Sequence, residues 1–429
     1  MENQAILDAI NAASGHLAAA EESLSVARAV LAEQGPPQEP EPVDPEPTEP
    51  EPPVTTPPII DPPSGAAGIP VADLTALNKV LSGAISGETL LLAEGVDFGV
   101  PNFRALVYAD EVTIKGGRFG ALDLRGVQGL ALDGAQVASL SINSGWGKQG
   151  NINPERIAFR GVRASGQISL RNLTDFRVEN CLSEGGQFGI TVLDCYDGVL
   201  TGNEVRGFTD DAYRIVGGSA RILFAENIAH LPNATRTGVH SDCLQMFGQG
   251  SRAAGTGRTP RDLTIRHNVF RGQQHPRTKE QILTQGILFG NANTDHGFIN
   301  VLIEENVFDI GAPHSIYMEG AQENVVVRRN TCLPPRNGRQ ATLSIYTYGK
   351  GNPREYDNRG LTLEHNIAGG IYNLTPATAI TGPNFLSRDE SLFPMPTGTL
   401  ADFLPVEHAG IPDDMGATAW LKQRLAGAA

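Results

Sequence analysis

Short stretches of alternating apolar and polar residues recur along most of the chain, and many of them end in Gly or Asn. Examples are VTIKGG (112–117), VLTGNEV (199–205) and LTLEHNI (361–367). Alternation with a period of two predicts β-strands with one buried face, because successive side chains of a strand point to opposite sides. Gly and Asn accept the left-handed backbone angles of tight corners. The pattern therefore predicts many short strands separated by tight turns.

The residues that end these stretches recur at intervals typical of a repeat protein. They are Gly116, Gly134, Gly161, Asn180, Asn203, Asn227, Asn268, Asn306, Asn330 and Asn366. Most intervals fall between 18 and 27 residues, and three of them are longer. A base period of this length with loop insertions predicts a solenoid of parallel β coils over residues 66–416. Because stacked coils place each Asn over the next, we expect a structural ladder of side-chain amides.

Apolar positions near the N-terminus follow a different period. Spacings of four and three alternate through a set of residues that are all apolar: Ile6, Ile10, Ala13, Leu17, Ala20, Leu24, Ala27 and Leu31. An unbroken heptad keeps one helix face on a partner helix. The sequence therefore predicts, over residues 1–35, a coiled-coil-like helix for oligomerisation or attachment, with a homotrimer as one compatible state. The alternative is an amphipathic helix that packs on its own protein.

A Pro-rich segment, residues 36–65, separates this helix from the repeat. It holds 13 prolines within residues 36–63, together with seven acidic residues. Such a composition forms no core and favours extended polyproline II, roughly 85 Å long at about 3.1 Å per residue. We interpret the segment as an acidic stalk, with a binding site for its Pro-x-Pro steps as the alternative. A helical tail is expected at residues 417–429.

Charge is unevenly distributed and excludes several classes of partner. The net charge is -15, and residues 1–63 hold twelve acids against Arg28 alone, which leaves -4 for the rest. The body therefore has no overall basic character of the kind that nucleic acid requires.

No apolar run reaches the length of a membrane span, and the first residues lack a secretory signal. The four cysteines have no metal-ligand spacing, so we expect buried thiols, no metal and no cofactor.

The repeat resembles the right-handed parallel β-helix of the pectate-lyase-like superfamily, which includes polysaccharide lyases, polygalacturonase-type hydrolases and phage tailspikes. Two segments at its ends carry the resemblance. VADLTALNKVLSGAISGETLLLAEGVDFG (71–99) is similar to an entry segment with a capping helix, and DDMGATAW (413–420) is similar to the exit segment. The resemblance implies an all-β solenoid and a polysaccharide ligand. It does not fix the reaction, because this fold carries many chemistries.

A second family of strands lies between the corners: FGITVL (188–193), DAYRIV (211–216), DCLQMF (242–247), QGILFG (285–290) and HSIYME (314–319). When these strands are aligned, equivalent residues form columns that run from coil to coil. Two columns are predicted to point into the solenoid: the first is Ile190, Tyr213, Leu244, Ile287 and Ile316, and the second is Val192, Ile215, Met246, Phe289 and Met318. Two outward columns follow, which are Thr191, Arg214, Gln245, Leu288 and Tyr317, then Leu193, Val216, Phe247, Gly290 and Glu319. At the strand entrances stand Phe188, Asp211, Asp242, Gln285 and His314.

Asp211 and Asp242 occupy equivalent places on neighbouring coils in this alignment. Adjacent strands lie about 4.8 Å apart, which is close to the carboxyl separation of retaining glycosidases, about 5–5.5 Å. Two close carboxylates raise one pKa and so favour a general acid. We therefore predict Asp211 and Asp242 as catalytic, with His240 as a proton carrier. The alternative for each Asp is a turn cap that accepts backbone N–H groups, and for His240 a solvated loop residue.

Other polar residues near the pair are candidate substrate contacts: Asp210, Arg214, Gln245, Gln285, His314, Tyr317 and Glu319. Arg214 is suited to a carboxylated sugar, and Tyr317 to stacking under a ring. A turn role for Asp210 and surface ion pairing for Arg214 remain alternatives. TDDAYR (209–214) and HSDCLQ (240–245) are broadly similar to polygalacturonase-like elements, but the GHG and Arg-x-Lys elements of those enzymes are absent. HSDCLQ is closer to an H-x-D-x-x-Q element of phage-type β-helix proteins.

These patterns together predict a phage-type spike made in the host cytoplasm and assembled into a virion. Residues 1–35 would join it to a virion structural protein, and the β-helix would bind host surface polysaccharide, with depolymerisation by hydrolysis or elimination as a further expected activity. Two alternatives stay open. One is a secreted, extracellular polysaccharide lyase, epimerase or glycoside hydrolase, and the other is a non-catalytic receptor-binding or structural spike.

Overall fold

The structure, a computed structural model, describes most of the chain after residue 67. The described ranges are 68–83, 86–147, 150–230, 241–249, 258–272, 284–290, 298–310, 314–319, 322–333, 342–346, 359–373, 382–394 and 399–427. The predicted N-terminal helix and Pro-rich stalk lie outside these residues.

Short strands make up most of the described chain. In the first half they are β1 (Ile69–Val71), β2 (Thr89–Leu92), β3 (Val107–Lys115), β4 (Arg118–Arg125), β5 (Gln128–Asp133), β6 (Gln136–Asn143), β7 (Gly145–Gly147), β8 (Gly150–Ile152), β9 (Glu155–Arg160), β10 (Arg163–Ala164), β11 (Ile168–Arg171), β12 (Thr174–Glu179), β13 (Leu182–Glu184), β14 (Ile190–Leu193), β15 (Tyr196–Thr201) and β16 (Glu204–Arg206).

In the second half they are β17 (Tyr213–Val216), β18 (Ala220–Ala225), β19 (Ile228–Ala229), β20 (Asp242–Phe247), β21 (Arg261–Arg266), β22 (Val269–Arg271), β23 (Gln285–Phe289), β24 (Phe298–Glu304), β25 (Val307–Asp309), β26 (His314–Glu319), β27 (Gln322–Arg328), β28 (Thr331–Cys332), β29 (Thr342–Tyr346), β30 (Arg359–Glu364), β31 (Ile367–Ala368), β32 (Gly370–Asn373) and β33 (Phe385–Leu386). Helix α1 (Leu74–Leu81) lies between β1 and β2, and helix α2 (Thr418–Ala426) follows β33. Three 3₁₀ turns at Glu390–Leu392, Leu400–Phe403 and Glu407–Ala409 lie between β33 and α2.

Apart from the antiparallel β7–β8 hairpin, the strands form three parallel faces of one solenoid. The first face is a sheet in the order β1-β2-β3-β5-β9-β12-β15-β18-β21-β24-β27-β30. The second, the site face, is built from β4, β6, β11, β14, β17, β20, β23, β26, β29 and β32. The third joins the short strands β10, β13, β16, β19, β22, β25, β28, β31 and β33. Parallel pairing between successive coils confirms the predicted parallel β-helix, and right-handed crossovers are the rule for parallel strands.

Apolar columns fill the interior of the solenoid. Both predicted inward columns are buried, and no member is more than 1% exposed. The largest polar member, Tyr213, donates its hydroxyl to the carbonyls of Asn203 (2.9 Å) and Ile228 (3.0 Å), which satisfies the phenol inside the core. All four cysteines are free and buried, as predicted.

At the N-terminal end of the solenoid the expected capping helix is present. Asp73 accepts the backbone N–H of Ala76 at 2.8 Å and thereby caps α1, whose Leu77 and Leu81 are buried. At the other end, Ala417 donates its backbone N–H to the Thr331 hydroxyl at 2.9 Å just before α2. Neither helix among the described residues is long and apolar enough to cross a membrane.

An asparagine ladder runs along the solenoid, as predicted. Each amide donates to the next one at 2.8–3.1 Å, through Asn203, Asn227, Asn268, Asn306, Asn330, Asn366 and Asn384. Each side-chain oxygen also accepts a backbone N–H from the preceding coil, for example that of Asn227 onto Asn268 at 2.9 Å. The ladder therefore satisfies both backbone and side-chain groups in the buried corner.

Two details of the predicted corners are wrong. From Asn203 to Asn366, the left-handed residue is the one before the ladder Asn, namely Gly202, Glu226, His267, Glu305, Arg329 and His365. Asn180 is itself such a left-handed residue, with φ 54°, and the ladder position beside it belongs to Cys181, whose backbone N–H bonds Asn203 at 3.0 Å. The amide must point at its neighbour in the stack, so the turn itself is made one residue earlier.

Candidate functional site

Strand pairing fixes the relation between the two candidate carboxylates. Tyr213 pairs with Leu244 and Arg214 with Gln245 in parallel register between β17 and β20. Asp211 and Asp242 each lie two residues before these partners and so occupy equivalent places on successive coils. The same register carries the predicted columns through β14, β23 and β26. The alignment drawn from the sequence is therefore confirmed.

Asp211 is almost fully enclosed at the entrance of β17, with 2% of its surface exposed. Its Oδ1 accepts the backbone N–H of Asp242 at 3.1 Å, and its Oδ2 lies 3.4 Å from Nε of Arg214. The backbone carbonyl of Asp242 in turn accepts the N–H of Ala212 at 2.9 Å. Asp211 thus accepts a backbone N–H from the neighbouring coil and not from its own turn, and it also lies beside a second acid.

The same local geometry recurs one coil later. Gln245 donates its amide Nε2 to Oδ2 of Asp242 at 3.3 Å, just as Arg214 approaches Asp211. In an extended strand, residues three apart lie on opposite faces. The two contacts therefore require a break in alternation at each strand entrance, which turns both carboxyls toward the outward residues Arg214 and Gln245. Asp242 is fully buried beneath the side chains of Arg214 and Gln245.

Arg214 is held between two aromatic rings. Its guanidinium carbon lies 4.3 Å from the ring centre of Phe188 and 5.1 Å from that of Phe247, and its side chain is 19% exposed. Cation–π contacts of this kind are worth about 0.5–2 kcal/mol each, depending on how dry the site is. The sequence alignment placed Phe188 at a strand entrance and Phe247 in an outward column, and it did not predict their contact with Arg214. In the alignment, Phe188 lies two residues before β14, at the same strand-entrance position as Asp211. That shared position could have predicted that Phe188 contacts Arg214.

The pKa of Asp211 is raised from 3.8 to about 8. Burial is the main cause, followed by the negative charges of Asp242 and Asp210, while Arg214 and the N–H of Asp242 act in the opposite direction. A carboxyl with this pKa is largely protonated at neutral pH and can donate a proton. The arrangement therefore offers a neutral acid beside a second carboxyl, under a fixed guanidinium and an amide.

Residues on the next two coils extend the same surface. Gln285 pairs in register with Asp242, and its buried Oε1 has no hydrogen-bond partner among the described residues. His314 and Tyr317 meet edge to face with ring centres 5.3 Å apart, and burial lowers the pKa of His314. Glu319 was expected to face outward but is only 5% exposed. The site face is therefore polar across four coils and partly covered.

Asp210 lies at the edge of this cluster. Its Oδ2 accepts the Gln187 amide at 3.2 Å, and its backbone N–H bonds the carbonyl of Gln187 at 3.0 Å. Both contacts join Asp210 to the preceding coil, and its predicted contact with substrate stays a prediction. His240 lies outside the described residues, so its predicted role as a proton carrier stays a prediction. No group of three or more His, Cys, Asp or Glu within the described ranges is arranged to hold a metal ion.

A scan against protein-family models finds no match, and a search of curated proteins finds none. Several solved structures are similar in fold. The Azotobacter vinelandii mannuronan C-5 epimerase AlgE6 A-module has a TM-score of 0.40 and 12% identity over 75% of this chain and 96% of its own. Pectate lyase Pel9A has a TM-score of 0.41 and 12% identity, covering 79% and 82%. Pectate lyase Bsp165PelA from Bacillus sp. N165, in complex with trigalacturonate, has a TM-score of 0.36 and 13% identity, covering 76% and 90%. The likeness concerns the fold, and no site residue is carried over from these proteins.

Proposed function

We propose that this chain is a phage-type spike whose site face binds a cell-surface polysaccharide and cleaves it by acid–base hydrolysis. Asp211 is the general acid and Asp242 the partner carboxylate, while Arg214 and Gln245 position the sugar. The observation that carries the proposal is the pairing of the two acids on successive coils, with the pKa of Asp211 raised to about 8.

Chemistry at such a pair needs one protonated and one ionised carboxyl. Two buried acids side by side resist double ionisation, so the pair holds one proton over a wide range of pH. The protonated member gives that proton to the glycosidic oxygen, while the ionised member attacks the anomeric carbon directly or activates a water. A strand spacing of about 4.8 Å favours direct attack and retention of configuration.

The spike assignment is supported by the order of segments in the sequence. A heptad helix, an acidic Pro-rich stalk and a solenoid in this order suit a particle-bound fibre in which residues 1–35 join a virion protein and self-associate. Loss of residues 1–35 should abolish oligomerisation in analytical ultracentrifugation. A truncated protein with the mass of the full-length assembly would contradict this part of the proposal.

A direct test is the size of the polymer after incubation with the protein. Purified bacterial capsule and lipopolysaccharide polymers are incubated with the wild type, Asp211→Asn, Asp242→Asn and the exposed control Asp175→Asn, then sized by gel filtration. We expect shorter products with the wild type and the control, and intact polymer with the two site variants. Unsaturated uronic ends, detected by ultraviolet absorbance, would instead identify the protein as a lyase.

A second candidate is a spike that binds the glycan without cutting it. The observation that favours it is the burial of both carboxyls, at 2% for Asp211 and 0% for Asp242, beneath Arg214 and Gln245. In this case the acids only fix the outward side chains that touch the sugar. Polymer that stays full length with the wild type, while binding persists in both Asn variants, would establish this candidate over the hydrolase.

A further inference from the structure

Three arginines occupy one register position on the coils that precede the site. Arg104 pairs with Arg125 as an isolated bridge, and Arg125 pairs with Asn143 between β4 and β6. Because Ser169 pairs with Ser141 and Leu170 with Ile142, Arg171 continues this row opposite Asn143. We call Arg104, Arg125, Asn143 and Arg171 the arginine row. It crosses four coils, roughly 14 Å at about 4.8 Å per coil.

The arginine row carries a net positive charge. Asp123 is the acid that meets it: its carboxylate accepts Nε of Arg125 at 2.9 Å and also interacts with the charge of Arg104. The Ser141 hydroxyl donates to the same carboxylate at 2.8 Å. Arg104 and Arg171 are exposed and make no ion pair or side-chain hydrogen bond with another described residue. The three guanidinium groups and Asp123 leave a net charge of +2 on this patch, within a body whose overall charge is close to -4.

A row of hydroxyls connects the arginine row with the carboxyl pair. Ser141, Ser169 and Thr191 follow one another in register, and the next residue in that row is Arg214. Likewise Arg171 continues through Leu193 and Val216 to Phe247, the ring that packs on Arg214. The patch and the site therefore form one continuous strip, with Arg171 two coils, or roughly 10 Å, before Arg214.

A small hairpin, β7–β8, packs against the arginine row at Arg125. A Cβ added at Gly145 would lie 2.6 Å from the backbone carbon of Arg125, so the hairpin approaches this strand end as closely as only glycine allows. Asn143 is fixed beside it, because its Oδ1 accepts the backbone N–H of Ser144 at 2.8 Å and the Asn172 amide at 2.9 Å. The hairpin therefore lies directly against the strand end at Arg125, and Asn143 is held by two hydrogen bonds.

We infer that the arginine row is an anion-binding subsite for a polysaccharide that carries carboxylate or sulfate groups, and that it holds the polymer to one side of the carboxyl pair. This inference rests on the proposed polysaccharide-binding function. Guanidinium groups pair with planar carboxylates and with sulfate through two parallel hydrogen bonds, and seryl hydroxyls bond sugar hydroxyls between them. None of these residues takes part in the acid–base chemistry, so the subsite determines which polymer binds rather than how it is cut.

Affinity electrophoresis tests the inference with three probes: polygalacturonate for carboxylate, dextran sulfate for sulfate, and dextran as the neutral polymer. The wild type should be retarded by one or both anionic probes and not by dextran. Arg104→Gln and Arg171→Gln should each weaken that binding about fivefold and reduce its salt dependence. Arg163→Gln, an exposed arginine on β10 of the third face, is the matched control and should bind like the wild type.

Two results would overturn the inference: no retardation by either anionic probe, or equal binding by the Arg171→Gln and Arg163→Gln variants. Its failure is separable from that of the proposed hydrolysis. A polymer that is bound through the arginine row but never shortened removes the hydrolysis and leaves the subsite. A neutral polymer that is shortened in an Asp211-dependent manner removes the subsite and leaves the hydrolysis.

Discussion

The backbone N–H of Asp242 donates a hydrogen bond to Oδ1 of Asp211 at 3.1 Å. The bond joins two acids that are 31 residues apart in sequence and one coil apart in the solenoid. It ties the carboxyl of one coil to the backbone of the next, while Arg214 holds the other oxygen of Asp211.

Stability should decline as the pH rises from about 4 to 8. The pKa of Asp211 is raised from 3.8 to about 8 in the folded protein, so the folded state holds a proton that the unfolded state releases. This contribution is complete below pH 3.8 and is lost as the pH rises through the folded pKa, at roughly 1.4 kcal/mol per pH unit. Urea unfolding across this range should show a shallower pH dependence for Asp211→Asn. The exposed control Asp175→Asn should follow the wild type, and identical slopes in all three proteins would contradict the raised pKa.

Two neighbours should move the pKa of Asp211 in opposite directions. The negative charge of Asp242 raises this pKa, whereas the positive charge of Arg214 lowers it. We therefore expect Asp242→Asn to lower the pKa of Asp211 and Arg214→Gln to raise it, as measured by ¹³C NMR titration of the carboxyl carbon. An unchanged pKa in both variants would show that burial alone determines the value, and a shift in the same direction for both would contradict one of the two charge effects. Arg221→Gln, which removes an exposed partner of Asp197, should leave the titration unchanged.

The contact between Arg214 and Phe247 should be measurable as a coupling free energy. The guanidinium carbon lies 5.1 Å from the ring centre in a partly enclosed site, so a coupling of about 0.5–1 kcal/mol is expected. A double-mutant cycle with Arg214→Met and Phe247→Leu, followed by urea unfolding, isolates it. The more exposed pair of Arg221 and Tyr196, at 5.8 Å, is the reference and should couple less strongly. Additive effects of Arg214→Met and Phe247→Leu would contradict a stabilising contact between the guanidinium group and the ring.

Substitution of a ladder residue should be costly. Asn268→Ala removes the amide that donates to Asn306 at 2.8 Å and to the Phe224 carbonyl at 3.0 Å, and it leaves the N–H of Asn227 without its acceptor. Unsatisfied buried groups cost about 1–3 kcal/mol each, so a loss of roughly 3 kcal/mol in the free energy of unfolding is expected. Asn151→Ala, on the exposed β7–β8 hairpin, should change it by less than about 0.5 kcal/mol. A ladder variant as stable as this control would mean that solvent replaces the lost bonds.

Local alternation and the recurrence of Asn were sufficient to predict the coils. Strands with a period of two have one buried face whatever follows them, and the columns that contain Tyr213 and Met246 lie where the alignment placed them. The equivalence of Asp211 and Asp242 came from the same alignment, because each lies two residues before an inward column. The alignment did not identify which residue makes the left-handed turn, because nothing in the local sequence distinguishes that residue from the ladder residue after it.

The environment of each side chain was decided only when the coils stacked. Phe188 and Phe247 are 59 residues apart, and they meet on Arg214 because coils of unequal length bring their strands into one register. The burial that raises the pKa of Asp211 likewise depends on neighbours from other coils, as does the alignment of Arg104, Arg125 and Arg171. The sequence by itself determined the strands, the inward columns and the candidate acids, since these are set by period and residue type. Tertiary structure determined burial, charge and contact, since these depend on which coils lie next to each other.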